Sequence, residues 1–281
     1  MKNILLVAMT LFGLSAASQT KSIGKIQLQK GQKISVHITN MSDTELGMGM
    51  NLKNNTENTN VLTVMGETDK EYVLSNTLTK LKLSIEGMGQ SQEFDSEKES
   101  DKNSEMGKAL NEAIGKTVDV NVNKFNGSPV YNKADAGPEK PASNPVENMM
   151  SALGGDEPSV GGAFLLIPAG KKAGESWTEI DSTHEKKGTR VYTIKSISGE
   201  VAQLTFISNL AASTNLSANG MNMPMQMNIK STGDITTDVT TGLVSKRNSA
   251  SDISGIMEVQ GQTLPITVKS NMNVVYTTLK K

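Results

Sequence analysis

From Gly220 onward every second residue is apolar: Met221, Met223, Met225, Met227 and Ile229 alternate with Asn222, Pro224, Gln226 and Asn228. A period of two belongs to an extended strand with one greasy face and one wet face. The same alternation predicts strands over 33–39 (Ile34, Val36, Ile38), 45–52 (Leu46, Met48, Met50, Leu52), 79–85 (Leu81, Leu83, Ile85) and 117–123 (Val118, Val120, Val122). Shorter strands are expected at 60–65 and 71–76, around a turn at 66–70, and the asparagine-rich run 54–58 reads as a polar turn. Gly47 and Gly49 inside the second of these strands suggest a bulge or a close backbone approach. Strands return after residue 163: one holding Trp177, a hairpin around Ser198-Gly199, then a series ending at 272–279, with Gly233, Gly242 and Gly261 in turns. Pro224 has no amide to donate, which places the methionine strand at an edge or a bulge.

Two stretches break the rhythm. Over 104–114, Met106, Leu110 and Ile114 recur at helical spacing and Gly115 follows as a stop. This predicts one short amphipathic helix, whose apolar stripe a sheet face would cover. In the acidic run 90–103, Glu93, Asp95, Glu97, Glu99 and Asp101 fall on alternate positions. It contains no glycine for a tight calcium-binding turn and reads as a solvated, mobile loop.

The Pro/Gly-rich stretch 136–162 reads as a linker between an N-terminal β half, 19–135, and a C-terminal β half, 163–281. The halves open alike, on Gly31-Gln32-Lys33 and on Gly174-Glu175-Ser176, which raises a duplication. The fold expected is mainly β: a curved antiparallel sheet or half-barrel, with two similar halves as one way to build it, packing one short helix.

Composition adds a compartment. Residues 1–18 begin with one lysine, run uncharged from Ile4 to Leu14 and end in small residues, which is the plan of a signal peptide. No other apolar run approaches the length of a transmembrane helix. The chain has no cysteine, so neither a disulfide nor an acylated cysteine is available. The expectation is an exported protein, periplasmic or extracellular, soluble once the leader is removed.

Charge and motifs narrow the function by exclusion. A net charge of −1 offers no basic surplus for nucleic acid. The only histidines, His37 and His184, lie far apart in sequence, and no HExxH, G-x-S-x-G or cysteine nucleophile is present. The chain is read as no enzyme, with no cofactor and no metal centre. The methionine face stays open to three readings. Methionine fills irregular core gaps, or makes soft walls for an apolar ligand; thioethers also select Cu(I). The candidate ligand-binding residues are Met221, Met223, Met225, Met227, Met48 and Met50.

The run Ala113-Ile114-Gly115-Lys116-Thr117-Val118-Asp119-Val120, the turn Asn126-Gly127-Ser128-Pro129-Val130, and Leu166-Ile167-Pro168 leading to Gly174-Glu175-Ser176-Trp177 carry a resemblance. Their order resembles an uncharacterised family of exported bacterial proteins known only as a domain of unknown function. More remotely, a curved sheet embracing a helix is similar to periplasmic lipoprotein carriers of the LolA/LolB type. That resemblance implies an acyl-chain carrier. The methionine face and the helix that needs covering make the leading expectation an exported, non-enzymatic binding protein for an apolar or lipid-like ligand. The alternatives are a structural or envelope interaction module with a protein partner, and a methionine-rich Cu(I) binder.

Overall fold

The structure is a computed structural model that describes residues 24–47, 49–87, 89–130, 160–182, 186–218, 221–259 and 261–280. The expected signal peptide, most of the expected linker, Met48 and His184 lie outside the described residues.

Alternation dominates, and the strands are long. In chain order they are β1 (Lys33–Leu46), β2 (Met50–Glu67), β3 (Glu71–Gly87), β4 (Gln90–Asp95), β5 (Thr117–Asn123), β6 (Pro129–Val130), β7 (Ser176–Ser182), β8 (Lys186–Ser198), β9 (Val201–Ala218), β10 (Met221–Asp238), β11 (Val244–Val259) and β12 (Gln262–Leu279). They form one open antiparallel sheet in the order β6-β5-β3-β2-β1-β12-β11-β10-β9-β8-β7, with β4 on the far half of β3. The outermost strands are not paired to each other, so the sheet does not close into a barrel. Two meanders meet at its centre, where β1 pairs with β12 from Lys33↔Leu279 to Leu46↔Ile266.

Several boundaries differ from the sequence reading. The strand expected at 45–52 is divided between β1, which ends at Leu46, and β2, which starts at Met50, with Gly49 between them at φ +77°. The asparagine run 54–58 lies in the middle of β2, paired on both sides. Its polar side chains satisfy one another there: Asn60 Nδ2 donates to Asn58 Oδ1 at 3.1 Å and Thr56 Oγ1 to Asn54 Oδ1 at 3.2 Å. The acidic run 90–103 is ordered as β4 and a four-residue helix, α1 (Glu99–Lys102). Phe94, 2% exposed, pins β4, and the Asp101 carboxylate accepts from the Asp95 amide at 3.0 Å. The expected helix is α2 (Glu105–Asn111), capped by the Ser104 hydroxyl, which accepts from Gly107 N. Its Leu110 packs with Leu81, Leu83 and Phe94, so the sheet covers it as expected. Among the described residues there are thus two short helices where one was predicted.

One face of the sheet carries the buried side chains; we call it the inner face. The end of the strands around Ile34, Val64, Leu74, Leu204 and Val274 is the base, and the opposite end is the rim. At the base, two extended segments cross the inner face. Ile26 N donates to Lys124 O at 2.7 Å, and the next amide, Gln27 N, donates to Thr241 O at 3.0 Å. Lys124 follows β5, and Thr241 lies in the β10–β11 turn. In a flat sheet five strand spacings would hold those turns about 24 Å apart. Successive amide nitrogens lie under ~4 Å apart, so the sheet must roll up at this end. The second segment, 160–167, completes the seal: Val244 N donates to Ala163 O and Leu165 N to Gly242 O, both at 2.9 Å. Ile26, Val160, Ala163, Phe164 and Leu165 are all buried in the base core with Val36, Leu204 and Tyr276.

One cation is buried at this end. The Lys124 side chain is 6% exposed, and its Nζ donates to the Glu67 carboxylate at 2.6 Å. It also lies 4.6 Å from the centre of the Tyr72 ring. The hydrogen bond and then the charge of Lys124 hold the Glu67 carboxyl below its ordinary value. A group depressed on folding adds stability above its unfolded pKa and loses it as pH falls through the folded one. The urea midpoint of the wild type is expected to fall between neutral pH and about pH 3, with Glu67→Gln starting lower and following a flatter profile. Parallel profiles for the two proteins would show that this pair does not contribute.

Candidate functional site

Above the base, strand register assembles what the sequence leaves scattered. Arg190 is the cross-strand partner of Ser208, which is followed by Ser231, Ser251, Ser270, Ser42 and Asn54, each the partner of the next. These residues form a straight polar row across seven strands, five serines long. Ser231 Oγ and Ser251 Oγ lie 2.8 Å apart, and Ser270 Oγ donates to Asn40 Oδ1 at 2.7 Å. Ser208 is 2% exposed, and its hydroxyl has no hydrogen-bond partner. An unmade bond in a buried hydroxyl costs about 1–3 kcal/mol.

On the rim side of this row the inner face turns apolar. The next row is Leu210, Ile229, Ile253 and Val268; beyond it come Ala212, Met227 and Ile266, then Met225 and Met257 as direct partners, then Met223. Ile229 to Met223 spans six residues of strand, about 20 Å. Met223, Met225 and Met227 are 9%, 3% and 3% exposed. The base core includes the crossing segments and the third cluster includes α2, whereas every described member of this rim cluster belongs to the sheet.

The structure brings together part of the predicted methionine set. Met223, Met225 and Met227 share one face with Leu210, Ile253 and Met257. Met221 begins β10. Met50 opens β2 and is half-buried, on the row that runs through Leu46, Ile266 and Gly255 to Met227. It therefore shares the face but lies four strands from Met227. Pro224 pairs with Asn215 of β9, and pairing with β11 begins only at Met225, so β10 is locally an edge at the proline, as its missing amide requires. The sequence reading missed Met257, which has the same period-two spacing after Ile253. It also missed the serine row, because each strand contributes a single serine.

Charge on this face is sparse. Only two of the chain's 28 basic side chains are arginines, Arg190 and Arg247. Both flank the same aromatic cluster. Trp177 stacks on Tyr192 with centroids 5.0 Å apart, Tyr192 tilts against Phe206 at 6.4 Å, and the Arg247 guanidinium lies 5.0 Å from the centre of the Phe206 ring. Arg190 Nη1 donates to the Tyr192 hydroxyl at 3.4 Å. Gly233 makes the approach to Phe206: a Cβ there would lie 2.6 Å from the ring. Burial pushes the Tyr192 and Tyr276 hydroxyls up, and the arginine charges oppose this only in part. Glu179 of β7 sits opposite Arg190 in the register and accepts from Trp177 Nε1 at 3.4 Å.

His37 is partly exposed, with Nδ1 3.3 Å from Thr59 Oγ1 and Nε2 3.9 Å from the Glu57 carboxylate. Among the described residues no group of three or more His, Cys, Asp or Glu converges as a metal site. No described helix is long and apolar enough to cross a membrane.

Against known proteins the chain has distant likenesses. No curated protein matches it. Among solved structures it is similar to lipovitellin, in a study titled for lipid–protein interactions, at 10% identity and a TM-score of 0.46, covering 91% of this chain and 26% of that one. The chain thus spans about a quarter of lipovitellin's length. It is also similar to the COG4313 outer membrane channel of Pseudomonas putida F1, at 9% identity and a TM-score of 0.22, covering 90% and 97% of the two chains. A third likeness is to OpdQ of Pseudomonas aeruginosa, at 7% identity and a TM-score of 0.21, covering 90% and 99%. Residues 159–244, which hold the second crossing segment and β7 to β10, match the profile of a family of unknown function, DUF6263.

Proposed function

We propose that this chain is an exported, non-enzymatic binding protein that holds a lipid-like ligand against the rim half of its inner face. The observation that carries the reading is the apolar belt of β9 to β12. It is about 20 Å long, longer than half of a ~30 Å bilayer core, and its described members are all sheet residues. Methionine suits such a wall because its unbranched, polarisable side chain adapts to chains of different shape. The sealed base gives the belt a closed floor, and the serine row above that floor is a place for a polar head.

The test is native mass spectrometry of the detergent-free protein after exposure to an extracted bacterial lipid mixture. An amphiphile adduct is expected, and Ile253→Lys, which places a charge in the belt, is expected to abolish it while circular dichroism stays β-rich. Wild-type protein that takes up no lipid, or an adduct unaffected by a folded Ile253→Lys variant, would overturn the reading.

A further inference from the structure

We propose that the ligand's head is a carboxylate, bound between the Arg247 guanidinium and the serine row, with its acyl chain running toward the rim; this rests on the lipid-binding reading above. Above Val244, which is buried in the base core, the inward residues of β11 run Arg247, Ser249, Ser251, Ile253, Gly255, Met257 and Val259. One strand face thus presents a cation, then two hydroxyls, then an apolar run, which is the polarity of a fatty acid laid along it.

Two independent anomalies mark the polar end. Among the described residues no carboxylate pairs with Arg247, whose guanidinium lies over the face of Phe206. It is half-buried, and a guanidinium drawn out of bulk water is compensated when it binds a carboxylate through two parallel hydrogen bonds. The second anomaly is Ser208. Its hydroxyl is buried without a partner, two residues from Phe206 and one strand from Ser231. The inner faces of β9, β10, β11 and β12 carry no acidic side chain. The first acid along the row, Glu179, sits at the far edge beside Arg190. An anion arriving at Arg247 therefore meets positive charge and hydroxyl donors, and no competing carboxylate.

The experiment titrates full-length protein with oleate and, separately, with oleyl alcohol, which has the same chain and no charge. Wild type is expected to bind oleate about tenfold or more tighter. Arg247→Gln is expected to bring oleate down to the affinity of the alcohol and to leave the alcohol unchanged; Arg247→Lys keeps the charge without the fork and retains part of the preference. Ser208→Ala removes a hydroxyl that has no partner, so it is expected to leave the melting temperature unchanged or raise it while weakening oleate. Equal affinity of wild type for the two probes, or a preference that survives Arg247→Gln, overturns the carboxylate assignment and leaves the lipid reading standing. Binding of neither probe overturns both.

Discussion

Replacing Gly233 by valine is expected to lower the melting temperature by about 6–12 °C, through a loss of at least about 3 kcal/mol. Gly233 lies mid-strand in β10 between Phe206 of β9 and Ser249 of β11. A Cβ at this position would sit 2.0 Å from Asn248 O and 2.6 Å from the Phe206 ring. The first obstacle is backbone of a paired strand, which moves only if the ladder moves. The second is the ring on which Arg247 rests. The variant should therefore lose stability and, where it still folds, the oleate preference as well. Gly66→Ala is the control: it also lies in a strand, and its Cβ would have no neighbour within 4 Å. A difference scanning calorimetry trace that shifts equally for both variants would show that the crowding at Gly233 does not matter.

The largest single loss is expected from Ile26→Asp. Ile26 is 0% exposed and stands where two turns converge: a Cβ on Gly127 would meet its Cδ1 at 3.4 Å, and one on Gly242 its Cγ1 at 3.6 Å. Those glycines, both at positive φ, let the β5–β6 and β10–β11 turns close over the isoleucine. A carboxylate has no partner there, and an unpaired buried charge costs several kcal/mol. Ile26→Ala should cost about 2–5 kcal/mol and Ile26→Val about 0.5–1.5 kcal/mol. Urea denaturation orders the series. If Ile26→Asp matches Ile26→Val, the segment before β1 does not seal the base.

What the sequence disclosed follows from period two. The faces of β1, β5 and β10 were legible because their apolar residues alternate without interruption, as in Ile34, Val36 and Ile38. So was α2, from Met106, Leu110 and Ile114. The errors fall where the inner face is polar. Asn54, Thr56 and Asn58 look like a turn because their composition is that of a turn, yet they face the polar band, where other side chains answer their hydrogen bonds. Gly47 and Gly49 hid a hairpin inside an apparently continuous alternation. The acidic run concealed β4 because a single phenylalanine, Phe94, holds it. The candidate site was legible only along β10. Ser42, Ser208, Ser231, Ser251 and Ser270 are unremarkable singly, and only the pairing register aligns them, which no local pattern encodes.

The pairing of β1 with β12 has a consequence for how the molecule comes into being. Ser270 bonds Asn40 across 230 residues of sequence, so joining the centre of the sheet closes a very long loop. Closing so long a loop is slow, because the entropy is lost before any contact repays it. Until that moment each meander displays a naked central strand, open to capture by another unfinished copy. Biogenesis, more than endurance of the finished fold, is therefore the vulnerable stage, and a chaperone that shields those two ribbons would govern yield.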